Sequence, residues 1–143
     1  MTVVRKVAGA AGHYGTQLKV LAGAGIIRPY SPVVLARMAR TLKDWGPGLA
    51  GGFTTLAIRA PQDVGLVDEL GELTYAELHQ RTNALADSFK RHGLKAGDGI
   101  AIMCRNHRGF VDATVACSKL GAHALFLNTA FSGPQLADVA ERE

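Results

Sequence analysis

Residues 100–127 read IAIMCRNHRGFVDATVACSKLGAHALFL, and the rhythm of this stretch sets the fold class. Ile100 to Cys104 is a continuous apolar run too short for a free-standing helix, which predicts a strand buried on both faces. Phe110, Val111, Thr114, Val115, Cys117 and Ser118 then recur at helical spacing until Gly121, a residue suited to the left-handed position after a helix. His123 to Leu127 is a second apolar run. Strand, helix and strand in this order make a right-handed parallel unit.

Upstream, Thr74-Tyr75-Ala76-Glu77 has the spacing of a capping box, so a helix is expected from there, with Leu78, Thr82, Leu85 and Phe89 inward and Gly93 past its end. Leu56 to Arg59 and Gly65 to Asp68 read as short strands separated by a turn at Pro61-Gln62-Asp63. Downstream, Asn128 to Phe131 is a loop, and Ser132-x-x-Gln135 is a second capping box that opens a last helix. The expected fold is therefore α/β: the first βαβα units of a doubly wound, largely parallel sheet, preceded by a basic helical leader. In that architecture the last helix should return to a further strand, so an incomplete domain is expected.

The leader stands out by charge. Residues 1–59 carry eight Lys or Arg and one acid, a net +7, whereas residues 60–143 carry a net −3, which together give the overall +4. Val34, Leu35, Met38, Leu42 and Trp45 form an apolar stripe, with Arg37, Arg40 and Lys43 largely on another face. Residues 33–45 thus suit either packing on the following domain or peripheral contact with an anionic membrane. The break after this helix is expected at Gly46-Pro47-Gly48, with Gly51-Gly52 just beyond, which divides the chain into a leader, 1–52, and a domain, 53–143.

Several chemistries are excluded. The 143 residues, 48% hydrophobic and 20% charged, are ample for one core, which removes disordered and low-complexity classes. Cys104 and Cys117 cannot make a disulfide framework, and a reduced intracellular setting fits them. Arg5 and Lys6 precede a small apolar stretch faintly like a signal peptide, but residues 7–15 are Ala/Gly-rich and interrupted by His13, and Lys19 follows, which argues against secretion. The uncharged run from Leu120 to Ala137 is too polar to span a bilayer. Gly23-Ala24-Gly25 lacks the third glycine of a dinucleotide fingerprint and a preceding strand. No Gly-Lys-Ser/Thr and no Gly-x-Ser-x-Gly occurs, and apart from net charge nothing suggests nucleic-acid binding. Cys104 and His107 are formally half a metal site, without a second pair, so a core thiol and a surface imidazole are expected and no metal. Asn106, Asn128 and Thr129 fall at carboxyl ends of the expected parallel strands, where α/β sheets place ligands, although turn and cap roles account for the asparagines at least as well and are the favoured reading. No catalytic residue is assigned.

Leu73-Thr74-Tyr75-Ala76-Glu77-Leu78, Arg81 to Ala86, Gly93-Leu94-Lys95-Ala96-Gly97-Asp98, Ile100 to Met103, Asn106, Phe110, Lys119-Leu120-Gly121-Ala122 and Leu127-Asn128 come in an order that resembles the start of AMP-forming acyl-CoA synthetases, the acyl-adenylate-forming superfamily. The resemblance runs from about Leu56 to Glu143. One departure is Gly99, where the family commonly has a basic residue. Leu42-Lys43-Asp44-Trp45-Gly46-Pro47 in the leader looks more like fatty-acyl-CoA synthetases of actinobacterial type than like acetyl-CoA synthetases or luciferases.

The resemblance implies a fatty-acid ligase in the cytoplasm with ATP, Mg²⁺ and CoA. A carboxylate attacks the α-phosphate to give acyl-AMP, and the CoA thiol then displaces AMP. It also implies machinery that residues 1–143 lack: a Ser/Thr/Gly-rich phosphate loop ending in Pro-Lys, a Tyr-Gly-x-Thr-Glu stretch, a ribose-binding Asp and a C-terminal lysine. The chain is therefore expected to be an N-terminal fragment that is inactive alone. The alternatives are a membrane-associating basic module and a non-functional remnant of a truncated gene, whose final helix would leave apolar surface exposed.

Overall fold

The computed structural model describes residues 19–20, 22–23 and 29–142, in a chain that divides into two compact units, Met1–Pro32 and Val33–Glu143. In the first unit, Lys19, Val20, Ala22 and Gly23 are helical and exposed. The signal-peptide-like stretch and most of the Gly23-Ala24-Gly25 hint lie outside the described residues.

Helix α1, Pro32–Trp45, belongs to the second unit from Val33 onward, and proline occupies its first helical position, at which a missing N–H goes unnoticed. Helix α1 ends as expected at Gly46, whose φ of +73° only glycine adopts cheaply and whose N–H donates to the Leu42 carbonyl at 2.9 Å. It buries none of its residues, and Leu35, Leu42 and Trp45 are 51%, 41% and 44% exposed.

Helix α2, Leu49–Arg59, corrects two expectations. Leu56 to Arg59 is its last turn and not a strand, and Gly51-Gly52 lies inside it and does not break it. The reason is tertiary. Ala50, Gly51 and Thr55 are buried together on one side, and a Cβ at Gly51 would stand 1.9 Å from the Gly46 carbonyl oxygen, so glycine is what lets the bend at 46–48 fold onto the helix. The Ala50 N–H, free of any helical partner, donates to Ser118 Oγ at 3.0 Å. Helix α2 runs unbroken through residue 52.

The strand expected at Gly65 to Asp68 is β1, Val64–Asp68, and it pairs antiparallel with β2, Gly71–Thr74, an element the sequence did not announce. Glu69 and Leu70 form the turn, and the register shifts between Val64 and Leu66, which places Gly65 in a bulge. A side chain at Gly65 would lie within 3 Å of the Tyr75 ring and Leu78. The glycine therefore lets the next helix sit close against the strand.

That helix, α3, Tyr75–Arg91, starts where expected, and the box closes in both directions: Glu77 N–H donates to Thr74 Oγ1 at 3.2 Å, and Thr74 N–H donates to Glu77 Oε2 at 2.8 Å. Leu78 and Thr82 are buried, and the Thr82 hydroxyl is satisfied by the Leu78 carbonyl at 2.7 Å. Leu85 and Phe89 are half-buried.

Strand β3, Gly99–Ile102, and strand β4, His123–Phe126, pair in parallel, with α4, Arg108–Leu120, as the crossover and Gly121 at φ +77° ending it. This is the expected unit, but one expectation is corrected. β3 is covered on one face only, with Ile102 buried and Gly99 and Ala101 exposed, because among the described residues its sheet has two strands and α4 packs on one side. The β1–β2 hairpin is likewise a separate sheet and not part of one continuous array.

Helix α5, Gly133–Arg142, closes the order, with the Ser132 N–H donating to Gln135 Oε1 at 2.8 Å. The core is the seam of α3 and α4, where Leu78, Thr82, Val115, Ala116 and Cys117 are each at most 1% exposed. The result is a mixed α/β partial domain.

Candidate functional site

In a parallel pair the carboxyl ends of the strands open into loops with no ladder partner, so polar groups there are free to meet ligands. Here the edge comprises residues 103–107 after β3 and 127–132 after β4. The last ladder bond, from Leu127 N–H to the Ile102 carbonyl at 3.0 Å, holds the two loops side by side.

Asn106 is exposed and lines a cavity of about 380 Å³ with Asp68, Glu69, His107, Phe110 and Val111. Asn128 and Thr129 lie outside that cavity. Asn128 Oδ1 accepts from Ala130 N–H at 2.9 Å and its carbonyl accepts from Phe131 N–H at 3.1 Å, so the side chain shapes the turn on the β4 side. Thr129 is exposed in the same turn. Between the loops the Phe110 and Phe126 rings meet at 5.3 Å between centroids, inclined by 38°, and form an apolar floor.

The strongest electrostatics of this edge come from residues the sequence did not single out. Arg108, first residue of α4, clamps Asp68 at the end of β1: its Nε donates to both carboxylate oxygens at 3.1 and 2.9 Å, and its backbone N–H donates to Oδ2 at 2.9 Å. Asp68 thereby serves as ion-pair partner and as an anion at the N-terminus of α4. The Arg108 guanidinium holds the Asp68 carboxyl well below the usual carboxylate range, aided by backbone N–H groups of Arg108 and Leu70. Beside this pair, Arg81 Nε donates to Asp112 at 3.1 Å and braces α3 to α4. These partners lie 31 and 40 residues apart, and nothing in local spacing marks them.

His107 is half-buried and caps α4, its Nδ1 accepting from Gly109 N–H at 2.9 Å, so one ring nitrogen is committed to structure. Cys104 is half-buried and Cys117 is fully buried. Among the described residues no group of three or more His, Cys, Asp or Glu could hold a metal ion. The Arg108 and Arg81 guanidinium groups, the natural phosphate binders of this edge, are already engaged by carboxylates. The arrangement can wall one side of a crevice. It does not assemble a nucleophile with a base.

The sequence profile described as "AMP-binding enzyme" matches residues 53–142. The chain is 35% identical over 72 residues to 2-succinylbenzoate–CoA ligase of Bacillus subtilis, covering 50% of this chain and 15% of that protein. It is also 35% identical over 85 residues to acetyl-coenzyme A synthetase 2-like, mitochondrial, of Homo sapiens, covering 55% of this chain and 12% of that one. Among solved structures, o-succinylbenzoate CoA synthetase from Bacillus subtilis, in complex with the acyl-adenylate intermediate OSB-AMP, superposes at a TM-score of 0.60 with 30% identity, over 62% of this chain and 23% of that one. The chain thus spans roughly an eighth to a seventh of the curated relatives it matches, 12% and 15%. The relatives named above are CoA ligases or synthetases of different acids. They do not single out the fatty-acyl or actinobacterial placement.

Proposed function

We propose that this chain, which belongs to the AMP-binding enzyme family, supplies the amino-terminal wall of an acyl-CoA ligase of the fatty-acid-activating kind. In this reading residues 53–143 are the first portion of the adenylating domain and residues 1–52 a basic leader. The observation that carries it is the profile match over 53–142 together with a parallel β3–α4–β4–α5 unit in the matched region. Asn106 lines the crevice at its carboxyl edge, and the turn that carries Asn128 and Thr129 borders it from the β4 side. The reaction is activation of a carboxylate by ATP with Mg²⁺, followed by transfer of the acyl group to CoA in a cytoplasmic setting. Phosphate cradling and charge neutralisation, the demanding parts of adenylation, require groups that residues 1–143 do not contain, so the chain alone forms no acyl-AMP.

The mass of the native product in its source cells tests this, using an antibody against residues 1–143 and peptide mapping of the detected band. A species several-fold larger, with fatty-acid- and ATP-dependent CoA consumption, supports the reading. A stable 15.1 kDa species refutes it.

A second reading rests on α1, which buries none of its residues and sets Leu35, Leu42 and Trp45 beside Arg37, Arg40 and Lys43. That combination suits the surface of an anionic bilayer. Among the described residues no helix is long and apolar enough to cross a membrane, so contact would be peripheral. Sedimentation with anionic vesicles, lost at high salt, is the expected outcome, and equal sedimentation with neutral vesicles would sink it.

A further inference from the structure

A second cavity lies at the opposite end of the parallel strands, where α3 and α4 finish and the chain turns into β3. It is open to solvent, encloses about 690 Å³, and its lining includes Trp45, Asn83, Asp87, Lys90, Lys95 and Lys119. Three lysines and one acid leave it electropositive. Among the described residues, none of the three ammonium groups has a carboxylate partner within 4 Å.

Lys119 is the least ordinary of them. Its Nζ donates toward Asn83 Oδ1 at 2.6 Å, Thr82 Oγ1 at 2.8 Å and the His79 carbonyl at 3.3 Å, and it lies 3.2 Å from His79 Nδ1, so groups of α3 that carry no negative charge hold a half-buried cation in place. Helix C-termini attract cations, which accounts for a lysine near the end of each helix. It does not account for a cation fixed without a counter-charge in the wall of a cavity that an aromatic ring also lines. Burial lowers Lys119 to about 8, the signature of a charge whose solvation is incomplete. Its three N–H donors are taken up by the α3 acceptors, and an anion in the cavity would add the counter-charge that those groups do not supply. The Trp45 indole, 44% exposed at the end of α1, offers a flat apolar face to the rest of the ligand.

We propose that this cavity is a binding site for a small planar anion, an aromatic or heteroaromatic phosphate, with the ring against Trp45 and the phosphate among Lys90, Lys95 and Lys119. The site lies at the amino ends of β3 and β4, away from the carboxyl-edge crevice. It stands or falls independently of the ligase reading.

Trp45 is the sole tryptophan of the chain, so its emission reports the site directly. The probes are phenyl phosphate, with phenol and inorganic phosphate as the ring alone and the anion alone. Saturable quenching by phenyl phosphate is expected, with phenol and phosphate each binding at least tenfold more weakly, and with affinity falling as salt rises. Lys90→Gln and Lys95→Gln, both at exposed positions, should each weaken binding roughly three- to fivefold, the change expected for one solvent-facing charge pair. Arg142→Gln on α5, outside the cavity, should change nothing. Quenching that phenol reproduces, or affinity unchanged in both lysine variants, would overturn the proposal, as would the absence of saturation up to about 10 mM, a level weaker than any useful site.

Discussion

Gly51 and Gly52 sit side by side in α2 and face opposite environments, so adding one methyl group to each in turn should have effects of opposite sign. A Cβ at Gly52 meets nothing within 4 Å. Gly52→Ala therefore gains only helix propensity and should stabilise by about 0.5–1 kcal/mol. At Gly51 the same Cβ would stand 1.9 Å from the Gly46 carbonyl oxygen and 3.5 Å from Leu42 Cδ2. Relief demands more than about 1 Å of movement at residues 46–48, which overpacks a buried contact at a cost of about 1–3 kcal/mol. The shift also strains the Gly46 N–H bond to Leu42 and the Ala50 N–H bond to Ser118, each worth about 1 kcal/mol. Urea melts followed by far-ultraviolet circular dichroism, with Trp45 emission as a second probe, would read both variants. Their midpoints should move in opposite directions, by about 4 °C per kcal/mol if heat is used instead. A neutral Gly51→Ala, or two shifts of the same sign, would mean that 49–59 is not the helix described and that the close approach of residue 46 is wrong.

Leu78→Ala opens a cavity in the α3–α4 seam at a side chain 1% exposed and should cost about 2–5 kcal/mol in a urea titration. Asp68 titrates below the usual carboxylate range, so the unfolded chain takes up its proton first and the ion pair's contribution, complete above about pH 5, is lost as pH falls below about 4. Asp68→Asn should accordingly be less stable at pH 7 and show a flatter decline in acid, and curves of equal slope for the two proteins would contradict this. Lys119 titrates near 8 in the folded protein and higher when unfolded, so stability should climb as pH rises from about 8 to 10. Lys119→Met should abolish that climb in melts taken across the same range, and a climb that survives the substitution would reassign it. The 143-residue chain should give no ATP–pyrophosphate exchange with any carboxylic acid, which an isotope assay checks.

What was legible in the sequence was local. The capping box at Thr74 and Glu77, the left-handed Gly93 and Gly121, and the crossover between two apolar runs each depend on residues within one turn or one period, and each is found where expected. What was not legible depends on distant partners. Leu49–Arg59 carries two glycines and a β-like end, and only the Gly46 bend and Ser118 show why it is a helix. Gly71–Thr74 has one buried side chain, Leu73, too little for a periodic signal. The apolar run at 100–104 promised cover on two faces, yet hydrophobicity says how buried a strand can be and not which neighbours are present. At the carboxyl edge the order of elements located Asn106, Asn128 and Thr129, whereas Asp68 and Arg108, 40 residues apart, could be joined only by the fold.

The parallel pair has a consequence for how the protein behaves in company. In a parallel ladder successive backbone groups alternate between the two sides of a strand, so with the His123 and Leu127 N–H groups turned to β3, those of Ala124 and Phe126 turn outward. Among the described residues no third strand meets them, and the Phe126 ring beside them is 57% exposed. Such an open row is a template on which an extended segment of another molecule can add without any particular side chain. Self-association should therefore be governed by concentration, and Phe126→Lys, which puts a charge on that rim, should keep the protein monomeric at concentrations where the parent chain sticks to itself.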